Sequence, residues 1–164
     1  MNIEIREWKA GEKKLLEDFL YEAIFIPEGV EAPGREIIGL PELQVYITDF
    51  GEGPDDICFL AKADGKVAGA VWVRVMKDYG HLEDGVPSFA ISLYKEYRGM
   101  GIGTALMKRM LQELTLRGYE KASLAVQKAN YAVRMYQKVG FEIVGENEEE
   151  FLMMWRSPNA GKNG

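Results

Sequence analysis

Apolar residues alternate with polar ones, or gather in short runs, over Ile3 to Trp8, Ile57 to Ala63, Val67 to Met76, Phe89 to Leu93, Ala122 to Val126, Phe141 to Val144 and Phe151 to Trp155. Segments of this length and period predict seven strands. Between them the period lengthens. Lys13 to Phe25 has apolar side chains at 15, 16, 19, 20 and 23, a helical stripe, and Pro41 to Phe50 carries a weaker one. Thr104 to Arg117 sets Leu106, Met107, Met110, Leu111 and Leu114 on one face, Lys108, Arg109, Gln112 and Glu113 opposite, and Gly118 as a stop. Ala129 to Val139 repeats this, turning Ala132, Val133, Tyr136 and Val139 inward ahead of Gly140. Met107, Met110 and Met135 read as core filler on these faces.

Helices placed between strands impose parallel pairing, whereas Asp64-Gly65 between two strand-like runs signals an antiparallel hairpin. The predicted architecture is an α/β domain with a mixed, largely antiparallel seven-stranded sheet and about four flanking helices. It spans residues 1–156, and the polar, Gly- and Asn-rich stretch 157–164 is expected to be a flexible tail.

A chain of 164 residues that is 47% hydrophobic suits one domain, burying about two thirds of its unfolded surface. Its first thirty residues carry no basic segment followed by an apolar run, and no stretch approaches the roughly 20 apolar residues of a membrane span. A cytoplasmic location without membrane partners is expected. The formal charge of -6, with both signs interspersed, argues against a nucleic-acid binder. A phosphorylated ligand therefore needs a local device. Cys58, in the apolar run Ile57 to Ala61, cannot form an internal disulfide and is expected in the core.

That local device is Arg98-Gly99-Met100-Gly101-Ile102-Gly103-Thr104, between a strand end and a helix start. Amides at a helix start lack internal partners and carry partial positive charge, which suits a pyrophosphate. Glycines at 99, 101 and 103 admit a close anion and allow backbone angles that turn successive amides inward. A P-loop would need Gly-Lys followed by Ser or Thr, and a dinucleotide fingerprint would need a third glycine where Thr104 stands.

The run Arg98 to Gly103 resembles the signature of the GNAT acetyltransferase superfamily, and Asn130, Tyr136 and Gly140-Phe141 resemble its second signature. The predicted element order matches that superfamily over residues 1 to about 156. The resemblance implies acetyl-CoA as cosubstrate, no metal, and a strand before the glycine loop that splays from its neighbour to admit the pantetheine arm. Ile91, Ser92 and Leu93 would lie beside that arm, with the Leu93 amide on the thioester carbonyl. The amides of Arg98, Gly99, Met100, Gly101, Ile102, Gly103 and Thr104 would hold the pyrophosphate. Asn130 would contact the arm from the other side, and Tyr136 would aim its hydroxyl at the sulfur as the acid for the leaving thiolate.

The base is less defined. Some members of the superfamily place a glutamate on the strand before the glycine loop, but Gly85 stands at that position here. Glu83, ahead of His81, is the candidate, acting through water. Trp72 and Arg74 face either the acceptor pocket or the sheet flank. The acceptor loop is expected in Phe25 to Gly39, rich in Pro and Gly; Glu28, Glu31, Glu36 and Glu42 tilt expectation toward a cationic acceptor. The acidic run 146–150 reads as an exposed turn. The expected function is acetyl transfer to a primary amine of a small molecule or peptide. A ribosomal-protein-type amino-terminal acetyltransferase and a non-catalytic acyl-CoA sensor are the alternatives. A homodimer is left open; nucleic acid is not expected as a partner.

Overall fold

The computed structural model describes residues 1–75 and 85–158. In chain order come β1 (Ile3–Glu7), α1 (Lys13–Glu22), α2 (Pro41–Gln44), β2 (Ile57–Ala63), β3 (Lys66–Arg74), β4 (Ser88–Leu93), α3 (Ile102–Leu116), β5 (Lys121–Gln127), α4 (Ala132–Lys138), β6 (Phe141–Glu146) and β7 (Glu150–Arg156). The strands form one sheet in the order β1-β2-β3-β4-β5-β7-β6. Every neighbouring pair is antiparallel except β4 and β5, which α3 connects. This is the mixed α/β architecture expected from the sequence.

Strand alternation divides the interior in two. On one face Ile57, Phe59, Val71 and Val73 pack under Leu106, Met107, Met110 and Leu114 of α3. On the other, Cys58, Leu60, Ala70 and Trp72 pack against Leu16 and Phe19 of α1 and against Phe50. The β2–β3 turn has Asp64 at φ 49° and Gly65 at φ 84°, the backbone that a tight Asp-Gly hairpin requires. Arg109, expected on the exposed face of α3, lays its guanidinium 4.3 Å from the Phe59 ring centroid and pairs with Glu113 at 3.0 Å.

Helix bounds depart from periodicity where distant side chains intervene. Of the stripe Pro41 to Phe50, only Pro41–Gln44 is α-helical. Arg74 reaches in from β3 and takes the carbonyls of Val45 at 3.1 Å and Thr48 at 2.8 Å. α1 ends at Glu22, whose carbonyl accepts Arg98 Nη2 at 3.2 Å. Just ahead of α4, Asn130 Oδ1 accepts the Ala132 amide at 2.9 Å, a local side-chain turn leading into the helix. At the carboxyl end, the buried Ser157 donates its amide to Glu120 O at 2.8 Å. Residues 159–164, most of the expected tail, lie outside the described residues.

Candidate active site

β4 is paired along its full length on one side only. Its register with β3 runs unbroken from Ser88 to Leu93, whereas with β5 it consists of Ser88 opposite Ser123. Ser123 donates its amide to Pro87 O at 3.0 Å, and the strands part beyond that point. Tyr94 donates to Ala68 O at 3.0 Å, and donors toward one neighbour recur at every second residue of an antiparallel ladder. Ser92 and Ala90 therefore aim their amides at β3. Ile91 and Leu93 aim theirs into the gap beside β5.

Gly69 sets how closely the end of β4 rests on β3. A Cβ there would collide with Leu93 Cδ2 and come within 2.7 Å of the Ser92 carbonyl oxygen. The Leu93 side chain thus lies over Gly69, which anchors the residue whose amide faces the gap.

Past β4 the chain makes a short 3-10 turn and enters the glycine loop. Gly99 and Gly101 adopt φ 78° and 83°, a region that L side chains rarely occupy, and Gly101 caps α3. The first α3 amide to bond backward is that of Ala105, to Gly101 O at 3.1 Å. The Ile102, Gly103 and Thr104 amides thus stand at the helix end with its partial positive charge. The expected set narrows at its start, since the Arg98 amide is donated to Lys95 O at 3.2 Å. The Arg98 side chain is also committed: Nε donates to Leu93 O at 3.1 Å, and Nη2 meets Glu22 Oε2 at 3.3 Å. It staples the end of β4 to the end of α1.

A cleft of about 690 Å3 follows the gap. It brings together Ile91, Ser92, Leu93, Arg98, Gly99, Gly101, Gly103, Thr104, Asn130 and Tyr136, all proposed from sequence. Met100 and Ile102 are not among its lining residues: Met100 is exposed, and Ile102 is buried in the core under α3. Ser92 reaches it by one edge only, because its buried Oγ donates to Phe19 O at 2.7 Å and ties β4 to α1. Asn130 spends Oδ1 on the Ala132 amide, which leaves its amide nitrogen as the polar group it can offer the cleft.

Tyr136 stands on α4, its ring 6.1 Å from that of Phe141. Burial pushes its phenol up to about 12, so the hydroxyl keeps its proton throughout the neutral range. In that form the hydroxyl has a proton to give.

Glu83 and His81 lie outside the described residues. Among the described residues lining the cleft, Glu22 is the carboxylate, and it is paired with Arg98. Trp72 and Arg74 turn to the α1 face of the sheet. Trp72 is buried with Nε1 on Tyr46 O at 3.1 Å, and Arg74 is paired with Asp56 through Nη2 at 3.1 Å. Both hold the fold. Cys58 is buried on that face, and burial pushes its thiol well up, away from a reactive thiolate.

The segment Phe25 to Gly39, expected to face the acceptor, does reach the cleft, but sequence reasoning did not foresee that it does so with apolar side chains. Ile24, Phe25, Ile26 and Val30, from the segment after α1, line the cleft, as do Tyr131 and Met135. Glu28, Glu31, Glu36 and Glu42, which tilted expectation toward a cationic acceptor, do not line it. Met135, expected as filler, borders both the cleft and the site of Gly103, where a Cβ would sit 3.4 Å from its sulfur. No helix among the described residues is long and apolar enough to cross a membrane.

Comparison with known proteins places the family and the fold. A family model described as the acetyltransferase (GNAT) family matches residues 21–141. Mycothiol acetyltransferase of Thermobifida fusca is 33% identical over 86 residues, which cover 50% of this chain and 27% of that protein. N-acetyltransferase 8 of Rattus norvegicus is 29% identical over 108 residues, covering 65% of this chain and 47% of that protein. The chain thus spans less than half the length of these curated relatives. The crystal structure of PaiA N-acetyltransferase from Thermoplasma acidophilum in complex with coenzyme A superposes with a TM-score of 0.70 at 20% identity, over 95% of this chain and 99% of that one.

Proposed function

The chain belongs to the acetyltransferase (GNAT) family, and from that membership we propose that it transfers an acetyl group from acetyl-CoA directly to a primary amine of a small molecule or peptide. The observation that carries the reading is the meeting, in one cleft, of an unpaired strand edge, a helix start with open amides and a protonated phenol. The residues present suit acetyl-CoA. The helix start at Gly101 favours an anion, and an ideal Cβ at Gly99 or Gly101 meets nothing within 4 Å, so the loop is open to a ligand.

Bound there, acetyl-CoA supplies an activated acyl thioester. The Ile102, Gly103 and Thr104 amides hold the pyrophosphate, and the edge of β4 at Ile91 and Leu93 pairs with the pantetheine amides as a further strand would. Leu93 N–H donates to the acyl oxygen, a contribution of roughly 3 to 4 kcal/mol in comparable acyl-transfer sites. The Tyr136 hydroxyl gives its proton to the departing sulfur. Arg98 positions Leu93 by holding its carbonyl. An alkylamine is about 0.1% neutral at pH 7, so deprotonating the acceptor costs about 4 kcal/mol, and a base is needed. Glu83, through water, is the residue assigned that task, since Glu22 is engaged by Arg98. The buried, protonated Cys58 argues for direct transfer without an acetylated thiol.

Thermal melts and calorimetry with acetyl-CoA test the reading. At 100 times its dissociation constant, a ligand of the native state adds about 2.7 kcal/mol. Gly101→Glu should abolish that response by placing bulk and negative charge at the helix start. A response to adenosine triphosphate or a nicotinamide dinucleotide, with none to acetyl-CoA, would contradict it.

A further inference from the structure

The segment after α1 is held from behind. Tyr21 donates its hydroxyl to Pro33 O, Arg35 pairs with Asp18 of α1, and Gln44 Nε2 donates to Ile38 O at 2.7 Å. Between these ties a turn closes with Val30 N–H on Pro27 O at 3.1 Å, and Glu28 at its corner is exposed. Tyr21 borders the cleft as well, but its hydroxyl is spent on Pro33 O. What the segment shows to the cleft is apolar: Ile24, Phe25, Ile26 and Val30. Val30 remains 56% exposed, and Tyr131, at the start of α4, 77% exposed, so these side chains stand at a mouth of the cleft. Large apolar side chains left in water at a cleft mouth mark a surface for an apolar ligand.

We propose that the acceptor amine carries an apolar substituent, aryl or branched aliphatic, which packs against the wall of Phe25, Val30 and Tyr131 while the amine reaches toward Leu93. The inference rests on the acetyl-transfer reading above and narrows its substrate class. A polyamine is disfavoured, because its second ammonium would lie against apolar side chains. The described lining carboxylate, Glu22, is already held by Arg98.

Steady-state transfer from acetyl-CoA to 2-phenylethylamine and tryptamine, set against putrescine and spermidine, tests this. The arylalkylamines should show kcat/KM at least about tenfold higher, the discrimination an apolar pocket ordinarily gives. Val30→Asp, at an exposed site, should raise KM for 2-phenylethylamine about tenfold with kcat and acetyl-CoA affinity held. Glu28→Gln, on the outer corner of the turn, should change neither constant. Equal or better use of the polyamines, or an unchanged KM in Val30→Asp, overturns the inference while leaving acetyl transfer intact. So does preferential turnover of hexanoyl-CoA without discrimination among amines, which gives the wall to the acyl chain. Binding of acetyl-CoA with transfer to none of the four amines also overturns it. Absence of acetyl-CoA binding brings down the transfer reading and the inference together.

Discussion

The two edges of β4 put the same strand to opposite uses. Toward β3 every residue from Ser88 to Leu93 has a register partner, and the face behind that seam is filled by Trp72, Leu60, Cys58 and Phe19. Toward β5 the pairing stops at Ser88, and the amides of Ile91 and Leu93 face a cleft. A closed seam stores its backbone polar groups in the fold, so damage there is felt as stability. An open edge leaves them for a ligand, and damage there is felt as binding or rate.

The largest expected effect comes from the open side. Tyr136→Phe keeps the ring against Phe141 and removes the proton donor, so turnover with a chemistry-limited acceptor should fall by about a hundredfold to ten-thousandfold. Melting temperature and acetyl-CoA affinity should barely move. Wild-type turnover in that variant would show that water, not Tyr136, supplies the proton.

The closed side should behave the other way round. Trp72 is buried, and its indole N–H is spent on Tyr46 O, so Trp72→Ala should cost about 3 to 5 kcal/mol of stability through the cavity it opens. The fraction that remains folded should retain its kcat. A variant that kept its stability but lost its rate would erase the distinction between the two seams.

A smaller effect sharpens the reading of Tyr136. Its folded-state value, about 12, lies above the ordinary phenol value of 10, so it is the unfolded chain that ionises first as pH rises. The stability held by the neutral buried phenol is present below about pH 10 and is lost as pH rises toward 12. Urea melts at about pH 9 and 11 should show the wild type losing about 1 kcal/mol more than Tyr136→Phe. Equal losses would mean that the phenol is not held in a desolvated site.

The same contrast explains what could be read from the sequence. Strand alternation and the helical stripe of α3 are local signals, and both locate the sheet and core well. The glycine loop was legible because positive φ at 99 and 101 demands a particular residue type. The shortness of α2 was not, because the carbonyls of Val45 and Thr48 are claimed by Arg74 from another strand. The breakers of Phe25 to Gly39 marked the acceptor segment, but the apolar face that Ile24 to Val30 turns to the cleft was hidden. Which side of an irregular segment faces inward depends on the long-range ties of Tyr21 and Arg35, and the four glutamates nearby pointed to the opposite ligand. Arg98 belongs to the glycine signature, yet its side chain works as a staple between β4 and α1.

Amide hydrogen exchange, followed residue by residue by NMR with and without acetyl-CoA, tests the central claim most directly. The account predicts strong new protection at Leu93, Ile91 and the Ile102 to Thr104 amides, with Ser92, already turned to β3, nearly unchanged. Protection confined to other regions, or none at Leu93 under saturating acetyl-CoA, would contradict the assignment of the open edge of β4 as the cosubstrate site.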